Sequence, residues 1–552
     1  MMNEFAGDTA PRSTVQVPVL DRELTTELSG DFSLPDYQPE IKRLLRIGTS
    51  VLPPNCFAGR DGVELGGTVD YFVLYVGHDN GVYCAPLSTE YRVETEPDAE
   101  GRALPITADS IPLCLCDTYA EAPVGRVTAP RRLNIRCKLR MGIKLYGECS
   151  PSAKPASGDD GTEEALPAME ALSAKATVNR VYCGLGDVLP LQDDLILSPT
   201  DGEWRVVCAE SKVLVTEATP AAGQVNCHGE VTVKLTLCPA ETEAEFASNT
   251  AEGRTSPPLT ILQRKIPFSQ AVELEGVTPV CAATAHGYCS DISVEMEEGH
   301  VHVDMNVSLE ARAQRNEEVY YVKDAYSTRR ESVCRYTDLP AERGLKALNG
   351  NFTLSDSLPL SEVGIDPAAR IADVTVSATP DSLTADPAKG RCYLSGTCHC
   401  HLLLLRDGEY AAAEMDLPFR YEFDEPGFTK DGISEGQVPT LGLPAFDGSI
   451  SVVNCRARMD GERVGVDAEL AVSLRTYRPA PLTALTDVEL GEEVTRRRGE
   501  YVICFPAPTD SAWSVAKRYH APMAALTAAN NLPASTDTDS IASLEGVGYL
   551  IV

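Results

Sequence analysis

Alternation of apolar and polar side chains, rather than helical periodicity, dominates this chain. In 131–146 (RRLNIRCKLRMGIKLY), Leu133, Ile135, Cys137, Leu139 and Met141 alternate with Arg132, Arg136, Lys138 and Arg140. Period-two spacing turns one set toward a core and the other toward water, as in an antiparallel sheet covered on one face. The stretches 300–313 (HVHVDMNVSLEARA) and 462–477 (ERVGVDAELAVSLRTY) repeat the pattern. Upstream of each lies a strand opened by a glycine: Gly67 in LGGTVDYFVLY, Gly229 in CHGEVTVKLTL and Gly396 in LSGTCHCHLLLL. These glycines recur at intervals of about 165 residues. A second apolar stretch with an aromatic residue follows each one, around Tyr91, Phe268 and Phe419. FSLPD (32–36), LILSP (195–199) and FTLSD (352–356) precede the glycine strands.

Four landmarks repeated three times predict a mainly β chain. Its body is three repeated β-sandwich-like modules of about 130 residues each, as sandwiches or open barrels. The expected organisation is an N-terminal segment (1–29), module 1 (30–149), a Pro/Ser/Gly/acid-rich linker (150–175), module 2 (176–330), a helical connector (331–350), module 3 (351–478), a linker (479–499) and a distinct tail (500–552). Two helical features are expected in the body: a short amphipathic turn at Ile41, Leu44 and Leu45, and a helix in DLPAERGLKAL (338–348).

The tail changes texture. Tyr501 to Phe505 predicts a strand, and Thr509, Asp510 and Ser511 are helix N-cap types. Trp513, Ala516 and Lys517 recur at helical spacing. Pro522 suits the start of a second helix, with Met523, Leu526 and Ala529 on one face, and Asn530-Asn531 suits its left-handed end. Tyr549 to Val552 closes a β-α-α-β order.

Composition narrows the chemistry. Lys+Arg number 48 against 81 Asp+Glu, a formal charge of −33, which disfavours phosphate backbones and anionic lipid alike. No apolar run has the length of a membrane span, and no secretory leader is visible, so the expected location is the compartment of synthesis. The 18 Cys are scattered without a CxxC pair, which favours reduced, hydrophobe-like thiols over disulfides or zinc. Phosphate-loop, GxSxG and HExxH motifs are missing, and Gly184-Leu-Gly186 is an incomplete dinucleotide fingerprint. No catalytic residue, cofactor or metal is therefore assigned. In Cys398-His399-Cys400-His401 a strand sends the thiols to one face and the imidazoles to the other, so one ion cannot take all four. The expectation is buried thiols with exposed imidazoles. His300 and His302 share a strand face as solvated surface, Glu295, Glu297 and Glu298 read as a solvated acidic turn, and the basic stripe at Arg132, Arg136, Lys138 and Arg140 as the wet face of a strand.

The tail resembles the LysM domain, a glycan-binding module of bacterial cell walls. The resemblance rests on Tyr501-Val502, Asp510-Ser511-x-Trp513, Val515-Ala516-Lys517-Arg518-Tyr519, Leu526 with Asn530-Asn531-Leu532, and Leu550-Ile551-Val552. Thr509 and Ala512 depart from the usual Gly and Leu. The body resembles a repeated domain of sporulation and spore-coat proteins, through LPDYQPEIKRLL, the Gly-x-Val strand and the final alternating strand. Together the two resemble the SipL-type family of clostridial spore-morphogenesis proteins. That resemblance implies a non-enzymatic scaffold in the mother-cell cytoplasm at the forespore surface. Its LysM groove (Thr509, Asp510, Ser511, Trp513, Asn530, Asn531, Leu532) would bind a coat morphogenetic protein, the polymerising ATPase, or other coat proteins. The alternative is a cell-wall or cortex protein whose groove holds N-acetylglucosamine-containing glycan. Trp513 is expected either in the tail's core or as an anchor at the groove rim.

Overall fold

The computed structural model describes residues 14–59, 62–107, 110–150, 169–196, 204–240, 256, 258–297, 300–386, 389–424, 445–495, 502–533, 544 and 547–552. The protein is mainly β, in several separate antiparallel sheets. The first part comprises β1 (Val15–Ser33), β2 (Ile41–Val51), β3 (Asn55–Ala58), β4 (Val63–Gly77), β5 (Val82–Thr95), β6 (Leu113–Ala120), β7 (Val124–Ala129) and β8 (Arg132–Cys149). The second runs through β9 (Met169–Leu185), β10 (Leu189–Ile196), β11 (Trp204–Ala221), β12 (Gln224–Pro239), β13 (Thr260–Glu273), β14 (Ala282–Glu297) and β15 (His300–Ser327). After β16 (Arg330–Leu339), the third holds β17 (Glu342–Pro359), β18 (Arg370–Asp386), β19 (Arg391–Arg406), β20 (Glu409–Asp424), β21 (Ala445–Asp460) and β22 (Arg463–Pro479), then β23 (Leu482–Glu493).

One pairing order recurs three times. A meander runs β2-β4-β5, β11-β12-β13 and β18-β19-β20, while the last long strand is central in β1-β8-β6, β10-β15-β14 and β17-β22-β21. Each meander shares a single apolar core with its companion sheet. The period-two reading holds at side-chain level: Leu133, Ile135, Cys137, Leu139 and Met141 are all buried, as are the inward residues of β15 and β22.

The glycine and aromatic landmarks are one device. Gly67 lies opposite Tyr91, Gly229 opposite Phe268 and Gly396 opposite Phe419. In each pair the ring lies over the space a side chain would fill. A Cβ at Gly67 would stand 2.7 Å from the Tyr91 hydroxyl, and one at Gly229 would stand 2.7 Å from Phe268 Cζ. The missing side chain lets the aromatic fold flat across the neighbouring strand.

Several expectations are corrected. Ile41, Leu44 and Leu45 belong to a strand, not a helical turn. Register shifts between Ile41/Arg43 and Leu44/Arg46 break the alternation and leave helix-like spacing on an extended backbone. The supposed helical connector (331–350) forms β16 and the start of β17. β17 pairs with β22 along its length, and that ladder outweighs the local helix preference of Ala, Glu, Lys and Leu. Within the supposed N-terminal segment, β1 begins at Val15 and pairs with β8; within the supposed linker 479–499, β23 pairs with β16. Of linker 150–175, residues 151–168 lie outside the described residues, and Met169 opens β9. No two of the 18 Cys are joined in a disulfide. No helix among the described residues is long and apolar enough to cross a membrane.

Buried charges join the three sheet pairs. Arg46 of β2, only 5% exposed, reaches Glu210 of β11 at 2.6 Å and Asp373 of β18 at 3.3 Å, and donates to Thr375. Lys234 of β12 meets Asp373 at 2.6 Å. Burial opposes the charge on Arg46, but Glu210 and Asp373 hold it protonated. A second junction centres on Arg475 of β22, whose guanidinium forks onto Asp447 of β21 and donates to the Tyr146 hydroxyl of β8 at 2.8 Å. Tyr146 donates to Glu342 at 2.8 Å, and Arg312 of β15 pairs with Asp117 of β6 at 2.8 Å.

Substitutions at the glycine landmark and at the buried arginine test these two features. Gly396→Ala would press its Cβ against the Thr379 backbone carbonyl as well as the Phe419 ring, and should cost about 1–3 kcal/mol or more in chemical denaturation. Gly142→Ala, where a Cβ meets nothing within 4 Å, should stay within about 0.5 kcal/mol. Arg46→Ala should cost about 3–5 kcal/mol, because Glu210 loses the guanidinium that meets its buried charge and Asp373 is left with Lys234 alone; Arg46→Met with Glu210→Leu, which leaves the Lys234–Asp373 pair intact, should recover part of that loss.

Candidate functional site: the docked C-terminal unit

The tail contains β24 (Ile503–Cys504), two short helices and β25 (Leu550–Ile551), which pairs antiparallel with β24. The helices, α1 (Ala512–Arg518) and α2 (Met523–Asn530), are the ones used below; Tyr501, expected to open the strand, lies outside the described residues. Ser511 caps α1 in a reciprocal capping box with Ser514. Pro522 precedes α2, and Asn531 ends it in the left-handed conformation (φ 54°). The buried face gathers Cys504, Ala512, Trp513, Val515, Ala516, Met523, Leu526, Leu544 and Leu550.

That core is completed from outside the tail. Leu172 of β9 and Tyr326 of β15 belong to it. β15 runs on to Ser327, past the end of the 300–313 pattern, and its last turn of chain forms a seat for the helices. The Trp513 indole donates to Asp324 Oδ2 at 2.9 Å, and its ring meets Tyr326 edge-to-face at 5.0 Å. Lys517 Nζ lies 2.5 Å from Asp324 Oδ1, and the Tyr336 hydroxyl donates to the same oxygen at 2.7 Å. The Tyr326 hydroxyl donates to the Ala521 carbonyl at 2.6 Å, while His520 Nδ1 meets the Ser327 carbonyl at 2.9 Å. Partial burial raises the cost of charge on Asp324, but the Lys517, Trp513 and Tyr336 donors prevail and hold its carboxyl below the usual range.

The seven expected groove residues therefore divide. Trp513 is 4% exposed and committed to the seat. Asp510 accepts from the Ala507 amide at 2.9 Å and from Arg518 at 2.6 Å. Ser511 is the helix cap, and Asn530 clamps the last strand through 2.8 Å bonds with the Ile551 carbonyl and amide. Leu532 packs against the core, and its amide bonds the Thr527 carbonyl. Thr509 and Asn531 remain exposed.

Pattern reading missed the outer face of the terminal ribbon. Cys504 and Leu550 point inward, whereas Ile503, Phe505, Tyr549 and Ile551 are 36 to 75% exposed. With exposed Val502 beside them, these side chains form an apolar patch on and just beyond the terminal two-stranded ladder. VICF and YLIV are apolar at every position, so no polar alternation in the sequence marks which of their side chains face outward.

A second concavity lies where the three sheet pairs meet, a cavity of about 480 Å³ whose walls include Arg46, Asp70, Glu210, Lys212, His399 and His401. Among the described residues, the donor group with the spacing for a metal ion is His399, His401 and Glu414. Burial lowers Lys212 below the ordinary lysine value.

No family model, curated protein or solved structure matches the chain.

Asp324→Ala should release the C-terminal unit: amides of both helices should exchange faster by hydrogen–deuterium exchange, with about 2–4 kcal/mol lost. Because the folded carboxyl titrates below the reference 3.8, its stabilisation is present above that value and is lost as pH falls through the folded value. In Asp324→Asn, that acid-side loss of docking should be absent.

Proposed function

We propose that the protein is a non-enzymatic scaffold of spore-envelope or coat assembly. In this reading three β-sandwich modules present a LysM-like C-terminal unit, which binds a coat morphogenetic protein of the polymerising-ATPase kind at the forespore surface. The SipL-type resemblance of the residues supports the setting, and the β-α-α-β order of the tail supports the module.

The observation that carries the binding role is the exposed ribbon of Ile503, Phe505, Tyr549 and Ile551. Fully covering side chains of this size contributes about 1.5–3 kcal/mol each, and aromatic anchors concentrate interface energy. Trp513 acts indirectly here: with its ring inside the seat, it supports the ribbon instead of touching a partner. Thr509 and Asn531, also exposed, flank the two helices and add polar contacts at the edge.

The two exposed rings also favour a second reading, since Phe505 and Tyr549 are suited to stack on N-acetylglucosamine units. Calorimetry with the full chain separates the two. Phe505→Ala with Tyr549→Ala should weaken binding of the coat ATPase at least tenfold while the melting temperature stays unchanged, and N-acetylglucosamine oligomers should give no heat. Sugar binding tighter than millimolar, abolished by the same double variant, would establish the glycan reading instead.

A further inference from the structure

β19 carries Cys398, His399, Cys400 and His401 in succession, and the pleat separates them as expected: Cys398 and Cys400 are fully buried in the third core. The imidazoles are not the exposed groups that the sequence predicts. Both line the central cavity, with side chains 24% and 15% accessible. β20 then adds what a one-strand reading cannot show, because Asp416 lies directly opposite His399 and Glu414 directly opposite His401. His399 Nδ1 is 2.5 Å from Asp416 Oδ1, and His401 Nε2 is 2.7 Å from Glu414 Oε1. The two rings stand edge-to-face at 6.0 Å.

Three observations separate this group from an ordinary surface cluster. One donor atom from each of His399, His401 and Glu414 lies within 4.8 Å of the others. His399 Nε2 is buried without a hydrogen-bond partner, a condition that costs free energy unless another group meets it. Asp416 engages the opposite nitrogen of that ring, the arrangement by which a carboxylate orients a metal-bound histidine and leaves the second nitrogen's lone pair free. The nearby Arg46 is already matched by Glu210 and Asp373, so its charge does not neutralise Glu414 or Asp416.

We propose that His399, His401 and Glu414 bind a divalent transition-metal ion of the zinc type at the wall of the central cavity, with Asp416 as the positioning residue for His399. Two imidazoles and one carboxylate form a zinc-type donor set that leaves a fourth, tetrahedral position open. Ligand distances of about 2.0–2.2 Å require the donors to close to about 3.4 Å apart, by rotation of the half-exposed Glu414 side chain together with a small shift of the two imidazoles toward each other. In the bound state Glu414 exchanges its hydrogen bond to His401 for the ion, and the open position faces the cavity.

The test uses the full chain, stripped with chelator and kept reduced, titrated with Zn²⁺ by calorimetry and with Co²⁺ by absorbance. One ion per chain is expected, with a cobalt spectrum lacking thiolate charge transfer, which distinguishes this group from the thiols. His399→Gln and Glu414→Gln should each weaken binding at least tenfold. Asp416→Asn should weaken it about 10- to 100-fold with the cobalt spectrum still of the nitrogen/oxygen type. Metal-free melting curves check that each variant is folded. Anomalous diffraction of zinc-loaded wild-type crystals gives a readout independent of the variants. An ion located elsewhere, thiolate charge transfer, no bound ion, or undiminished binding in folded variants would overturn the proposal.

Discussion

Arg46 is the residue on which the arrangement of the body depends. A guanidinium cannot leave water without replacement partners, and those available to Arg46 come from the other two sheet pairs, Glu210 and Thr375 among them. The first sheet pair alone would expose that charge or bury it at great cost. The same logic governs Arg475, whose partners span Asp447 on its own sheet pair and Tyr146 on the first. With Arg312 of the second sheet pair meeting Asp117 of the first, each junction draws its charged partners from all three parts.

This constraint shapes the concave features of the molecule. Charged strand faces that meet around Arg46 leave a cavity rather than a dry seam, and the imidazoles of β19 fall on its wall. The β9–β15 pairing extends beyond the second core, and that extension seats the C-terminal unit. Trp513, Lys517 and Tyr326 meet there around one carboxylate. A small tail whose core is completed by Tyr326 and Leu172 is thereby fixed against the body, with its outer ribbon exposed.

Where local pattern and fold disagree, the cause is identifiable. Around Ile41 and Leu45, two bulges within a few residues altered the local spacing, so an extended chain acquired a helical signature. At 338–348 the residues are good helix formers, but β22 and β23 supplied strand partners that no local window contains. In the tail, the capping residues were read in order, yet Asp510, Ser511 and Asn530 are absorbed by internal hydrogen bonds and are not free for a ligand. Nothing near Trp513 in sequence signals Asp324, which lies 189 residues away.

The sequence by itself determined which side chains face a core, because pleating couples period two directly to burial, as in Leu133 through Met141 and in the Gly–aromatic landmarks. It also determined the threefold recurrence of strands and the helical texture of the tail, since both are local patterns. Only tertiary structure decided what those strands bring together: Arg46 with Glu210 and Asp373, Trp513 with Asp324, and His399 and His401 with the carboxylates of β20. Such pairings depend on register and on contacts between distant segments, and a charged or polar residue carries no local mark of the partner that will compensate it.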